Sequence, residues 1–292
     1  MVKGEPHGEG GRGAGDRAPN AGRTVLRLRI HPVKGARGSD VDQMDFDEVG
    51  PRFDRRWMVV GADGVFVSQR GRPELATVQA TVAGEELILQ APGAGAVAVP
   101  VAPEGGRVGV RVWDSEMEVR TVSADADGWL TAFLGAPHRL VHIGNDDVRP
   151  TDPAYAKGHR VGFADGYPAL LVSQGSVAEL GSRVGRPIPA ERFRPNIIVS
   201  GDQAHEEDRW RRFTIGSLAF SGVKLCTRCK VTTTDQESGE RDPDREPLRT
   251  LARYRHLKDK VYFGVNVVHH GTGTIRAGDP VEVLERGFIP GA

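Results

Sequence analysis

Cys226 and Cys229 are the only two thiols among the 292 residues, three apart in the stretch LCTRCKVTTTDQ. A CxxC pair is half of many structural zinc sites, but tetrahedral zinc needs two more ligands at matching spacing, and no second CxxC exists. His256, His269 and His270 are available, yet they fall inside or beside helix and strand patterns. A thioredoxin-like redox pair needs its second cysteine to open a helix, whereas Lys230 to Thr234 is β-branched and reads as strand. On a continuous strand, side chains three apart point to opposite faces, so only one of the two cysteines is expected to look into a given pocket. The plain alternative is a pair of ordinary buried thiols.

Three other segments carry groups suited to an anionic or heterocyclic ligand. ERFRPNIIVSG sets Arg194 and Asn196 two apart at a strand start, with Pro195 where a missing backbone donor costs least. An arginine fork suits a phosphate, and an asparagine amide both donates to and accepts from a heterocycle edge. Pairing of Arg194 with Glu191 or Asp202 is the structural alternative. HPVKG places Lys34 at a strand end and FDRRWM places Arg55 and Arg56 at a strand start, each also readable as surface charge. Gly8, Gly10 and Gly13 have the GxGxxG spacing, but a dinucleotide site needs a strand before it and a helix after it, and neither pattern is present.

The elements that must position these groups are mostly strands. Thirty-eight glycines and 19 prolines with few aromatics favour short strands and turns. Leu26, Leu28 and Ile30 alternate with Arg27 and Arg29 as in a half-buried strand. RRWMVVGADGVFVSQR reads as two strands around a Gly61 to Gly64 turn, and RVGVRVWDSEMEVRTV as a hairpin turning at Asp114 and Ser115. DADGWLTAFLGAP predicts a short helix burying Trp129, Leu130, Phe133 and Leu134 and stopped by Gly135. A second helix follows ALLVS, with Ser176 and Glu179 as its capping box, and a third fits EPLRTLARYR with Pro247 in its first turn. The fold class is mainly β (α+β): a disordered Gly-rich tail over 1–23, an N-terminal β-barrel-like domain over 24–145, and a second β domain over 146–287 with a few short helices. With 39 basic and 39 acidic residues, no nucleic-acid partner is indicated. No apolar run reaches the roughly 20 residues that span a bilayer, and a cytoplasmic protein is expected.

The segments HPVKGARG, GPRFDRRWMVV, ERFRPNIIVSG, EEDRW and CTRCKVTTTDQESGERD occur together in an order and spacing that resembles the MOSC proteins with an N-terminal β-barrel domain. This group includes the mitochondrial amidoxime reducing component and its bacterial relatives. The resemblance implies a second domain of the MOSC β-barrel type and a molybdenum cofactor (Mo-molybdopterin) between the two domains. It implies Cys229 as the thiolate ligand of molybdenum, with Cys226 facing away. It further implies Lys34, Arg55 and Arg194 at the phosphate and pterin, Asn196 as a pterin contact, and Asp165, Ser173 and Thr232 as further pocket positions. Gly35 stands where relatives commonly carry Ser, so a backbone N–H must replace a hydroxyl donor. The implied activity is removal of oxygen from small N-hydroxylated substrates. The alternatives are a non-catalytic cofactor carrier and a sulfur carrier holding a persulfide on Cys229. Asp235 and the acidic run Glu206 to Asp208 are expected to shape the entrance or hold loops, as solvated surface rather than as catalysts. Two cysteines are too few for a ferredoxin-type cluster, so electrons are expected from a separate ferredoxin or cytochrome-like protein with its reductase.

Overall fold

The computed structural model describes Met1 and residues 22–291. The expected tail and its GxGxxG spacing therefore lie outside the described residues, except at the ends of the tail: Arg23 already belongs to the first strand.

Seven strands close into a barrel. In spatial order they are Ala169–Ser173, Ile197–Val199, Arg23–Ile30, Pro280–Arg286, Trp210–Ile215, Leu218–Arg228 and Lys260–His270, the last pairing back to the first. Closure leaves these strands without free edges. All neighbours are antiparallel except Ala169–Ser173 and Ile197–Val199, which run parallel because the chain crosses over through the helix Gln174–Val184. Trp210, Phe213, Phe220, Leu171 and Val265 fill the interior. Arg23–Ile30, from the start of the chain, is thus built into a barrel made otherwise from the second half.

Ser39–Val41 pairs with Arg23–Ile30 and Gln43–Phe46 with Gly273–Arg276; the remaining strands of the first half form a five-stranded sheet, ordered Val33–Lys34, Trp57–Gly61, His138–His142, Ser115–Thr121 and Arg107–Val112, and a three-stranded sheet, Gln79–Ala83, Glu86–Ala91 and Gly95–Pro100. The helix Ala124–Leu134 is capped by Ser123 Oγ, which accepts from Ala126 N, and ends at left-handed Gly135. It buries Ala126, Leu130 and Leu134, while Trp129 and Phe133 stack on each other at its margin. The molecule is mostly β, with short helices only.

Several local expectations shift. A bulge between Val25 and Arg27 breaks the alternation of the first strand, so Val25 and Leu28 are buried and Leu26 is exposed. The hairpin Arg107–Thr121 turns at Trp113 and Asp114, one residue early. After Gly64 the chain makes only single bridges, at Val60 to Phe66 and Val65 to Arg111, instead of a full strand. The helix Gln174–Val184 is capped by Ser173, three residues before the expected Ser176, and Glu179 pairs with Arg183 rather than reaching back. Pro247 stands as the residue before the helix Leu248–Tyr254. KVTTT is not a strand: Lys230–Thr233 is a single 3-10 turn, because the Thr232 and Thr233 hydroxyls donate to the Cys229 and Lys230 carbonyls three residues back.

Candidate functional site

A cleft enclosing about 960 Å³ of atom-free space, its mouth included, opens between the barrel and the five-stranded sheet. Lys34, Gly35, Arg55, Asp165, Arg194, Asn196, Cys229 and Thr232 all line it. Ser173 does not. Its hydroxyl donates to Glu207 Oε2 at 2.8 Å and accepts from Ser176 N at 3.2 Å, which makes it the cap of a buried helix.

The cysteine segment arrives by an irregular route. Between Leu225 and Thr227 the register against Lys260–His270 slips at a bulge where Gly264 has φ +76°. A Cβ there would lie 2.9 Å from the Leu171 carbonyl oxygen, so glycine is required. The strand ends at Arg228, and Cys229 begins the 3-10 turn. Strand parity therefore does not hold, and Cys226 lines the same cleft as Cys229 instead of facing away from it. Burial pushes the Cys226 thiol up. Thr232 Oγ1 donates to the Cys229 carbonyl at 3.0 Å and holds the turn.

The basic residues come from both halves of the chain. Lys34 ends the short strand Val33–Lys34, which runs parallel to Trp57–Gly61, and Gly35 turns the chain away with φ +84°. The Lys34 ammonium, 8 % exposed, donates to Phe163 O at 2.9 Å and Asp165 Oδ1 at 2.5 Å and lies 5.1 Å from the Phe66 ring centroid. Burial lowers its pKa, and Asp165 opposes that. Desolvation would raise the Asp165 carboxyl, but the Lys34 ammonium, the Arg70 charge and the Trp113 N–H together outweigh it and hold the group well below the usual carboxylate range.

Arg55 precedes Trp57–Gly61 in left-handed backbone at φ +48°. Its guanidinium donates to Asp54 Oδ2 at 2.5 Å, Asn196 Oδ1 at 2.8 Å and Arg194 O at 2.9 Å. Arg194, also left-handed, ends the 3-10 turn Ala190–Phe193. Neither Glu191 nor Asp202 pairs with its side chain; Glu191 takes Arg27 and Arg29 instead. Arg194 Nη1 donates to Ala36 O at 2.6 Å and Gln236 Oε1 at 3.3 Å, and burial beside Arg55 brings its pKa down to about 9, so it is charged at neutral pH. The Asn196 amide is largely engaged by the protein: Oδ1 accepts from Arg55 and from Leu170 N, and Nδ2 donates to Arg29 O.

Sequence reasoning missed Phe66, Arg70, Trp113, Tyr167, Arg192 and Arg228, which also line the cleft. Arg192 and Arg228 sit within the quoted ERFRPN and CTRC segments, whose neighbours drew the attention, whereas Phe66, Arg70, Trp113 and Tyr167 lie in no chemical motif and are brought in by hairpin and loop geometry. The acidic run is not solvated surface. Glu206 holds Arg23 through two bonds of 2.7 Å, Glu207 is fully buried on Ser173 and Ser176, and Asp208 pairs with Arg255, so the run anchors barrel elements. Asp235 pairs with Arg192 at 3.3 Å.

Among the described residues, Arg70, Arg194 and Arg228 have no carboxylate within ion-pair distance, and Arg228 Nη2 is buried without a hydrogen-bond partner. No group of three or more His, Cys, Asp and Glu side chains gathers among those residues, so a metal held at Cys229 must bring most of its other ligands with it. An anionic organic group carrying its own metal ligands fits this cation-rich cleft with the Cys226 and Cys229 thiols in its wall.

These features define a MOSC protein. The MOSC N-terminal beta barrel domain matches residues 22–137 and the MOSC domain matches residues 158–282, and the chain belongs to this two-domain family. Among curated relatives, it is 34 % identical over 281 residues to human mitochondrial amidoxime-reducing component 1, covering 89 % of this chain and 83 % of that one. It is 33 % identical to the mouse protein of the same name, over 89 % and 82 % of the two chains. Identity to bovine mitochondrial amidoxime reducing component 2 is 32 %, over 88 % and 82 %.

Proposed function

We propose that the protein binds a molybdenum cofactor in this cleft and reduces small N-hydroxylated compounds, R–NHOH + 2e⁻ + 2H⁺ giving R–NH₂ + H₂O. The observation that carries the reading is a metal-capable thiol, Cys229, in a cleft where, among the described residues, Arg194 and Arg228 have no carboxylate at ion-pair distance. The names of the relatives, amidoxime-reducing components, support the substrate class.

When bound, the cofactor would supply the two-electron chemistry of oxygen removal. Cys229 would hold its metal as a thiolate, while Lys34, Arg55 and Arg194 would balance its negative charge. Gly35 offers a backbone N–H, while Asn196, whose amide is held by Arg29, Arg55 and Asp54, orients Arg55. Asp165 orients the Lys34 ammonium, and Thr232 fixes the backbone of Cys229. A separate electron donor, a ferredoxin or cytochrome-like protein with its reductase, and a cytoplasmic location belong to the same proposal. Among the described residues, no helix is long and apolar enough to cross a membrane.

The test is metal analysis of wild type and Cys229→Ala from a host that makes the cofactor, followed by benzamidoxime turnover with reduced viologen as electron source. Stoichiometric molybdenum in wild type, its loss or altered coordination in the variant, and conversion to benzamidine are the expected results. Metal-free wild type from a host that loads other molybdenum enzymes overturns the proposal. Loaded wild type that leaves benzamidoxime untouched removes the enzymatic half and leaves a carrier.

A further inference from the structure

Among the described residues, Arg70 is a cation at the cleft mouth whose surroundings are built while no carboxylate stands at ion-pair distance from it. The backbone on either side is pinned from the other half of the chain. The Gln69 and Gln236 side-chain amides pair at 3.1 Å in both directions, and Arg241 Nη2 donates to Gln69 O at 3.1 Å and to Arg70 O at 2.7 Å. The Arg70 guanidinium then lies 4.3 Å from the centroid of the Trp113 indole. Trp113 stands at the hairpin tip with φ +55°, 37 % exposed, its ring 4.7 Å from Phe66 and its Nε1 donating to Asp165 Oδ1 at 3.2 Å. Asp165, whose carboxylate also feels the Arg70 charge, is bonded to Lys34 and to the Trp113 indole. Arg70 therefore presents a fork held over an aromatic ring, with no carboxylate at ion-pair distance among the described residues.

Position separates Arg70 from the cations of the inner wall. Lys34 and Arg55 are buried, and Arg194 is bound to Ala36 and Gln236, whereas Arg70 is half-exposed and shares the mouth with exposed Asp165 and partly exposed Trp113. A group arriving from solvent meets this pair first. A planar carboxylate matches the open fork in a bidentate geometry, and an aryl ring attached to it matches the indole.

We propose that Arg70 and Trp113 select the substrate: the site prefers N-hydroxylated compounds that carry a carboxylate on a flat, conjugated frame. The inference rests on the reductase reading and names the substrate class within it. Arg70 grips the carboxylate and Trp113 supports the frame, while the N–OH end points inward toward Cys229.

The experiment compares benzamidoxime with 4-carboxybenzamidoxime on molybdenum-loaded wild type, Arg70→Gln, Arg70→Lys and Trp113→Phe, with reduced viologen as donor. In wild type, kcat/KM favours the carboxylated substrate by about tenfold or more, mainly through KM. That ratio collapses toward unity in Arg70→Gln and is partly restored in Arg70→Lys. A second readout needs no turnover: 4-carboxybenzamidine quenches tryptophan fluorescence in wild type, and the quench is lost in Arg70→Gln and in Trp113→Phe. A ratio near unity in wild type overturns the proposal. So does loss of molybdenum from Arg70→Gln, which would assign Arg70 to the cofactor. If neither amidoxime is consumed but the quench discriminates in favour of the carboxylate, the reductase reading falls while the carboxylate site stands; absence of both turnover and quench sinks the two together.

Discussion

Replacing Asp54 by Asn tests how the cleft's central arginine is held. The Asp54 side chain is 2 % exposed; Oδ2 accepts from Arg55 Nη1 at 2.5 Å and Oδ1 from His31 N at 2.7 Å. Asparagine keeps the shape but has one acceptor, so either the Arg55 guanidinium or the His31 N–H must face an amide NH₂. Breaking a buried ion pair outright costs about 3–5 kcal/mol, and a hydrogen bond to a charged group is worth about 1.5–3 kcal/mol. Arg55 retains Asn196 Oδ1 and Arg194 O, which places the expected loss near the overlap, about 3 kcal/mol. Urea unfolding of the cofactor-free protein should show this as a lower midpoint at unchanged slope. Molybdenum content after expression in a loading host should fall with it, because the fork that Asp54 orients is no longer fixed. A loss under about 1 kcal/mol with full molybdenum content would refute the view that Asp54 positions Arg55.

Three other outcomes follow from the geometry. Gly264→Ala puts a Cβ against Leu171 O at a positive φ, and should cost about 2 kcal/mol in urea unfolding; a neutral result would mean that the bulge beside Cys226 is not as tight as it looks. Ser173→Ala removes a helix cap and a partner of buried Glu207, so stability should fall by about 2 kcal/mol while molybdenum loading per folded chain is retained; loss of molybdenum at unchanged stability would instead assign Ser173 to the cofactor. Burial raises the Asp208 carboxyl to about 6 against the pull of Arg255, so the native state binds that proton more tightly than the unfolded chain. The stabilisation is present below about pH 4 and lost as pH rises to about 6. Wild type should therefore lose about 3 kcal/mol relative to Asp208→Asn between those limits, from a shift of about two pKa units, and parallel pH profiles in calorimetry would contradict this.

What the sequence by itself determined was the mainly β character, the short helices, and the membership of Lys34, Gly35, Arg55, Asp165, Arg194, Asn196, Thr232 and Cys229 in one cleft. Alternation and turn residues are local properties, and the family's motifs mark contiguous segments, so both can be read along a chain. Tertiary structure decided where the local rules broke. A bulge at Gly264, opposite Cys226, and a 3-10 turn held by threonine hydroxyls brought Cys226 beside Cys229, against a parity that assumes an unbroken strand. Ser173 went to a helix cap because Glu207, 34 residues away in sequence, folds beneath it. Arg70 and Trp113 met across two separate loops, in a pairing that neither segment encodes alone. Which charges are cancelled and which stay open depends on distances set only when the barrel closes. For that reason Arg194 could be read from the sequence as a paired surface residue and is in the folded protein a half-buried cation with no carboxylate at ion-pair distance among the described residues.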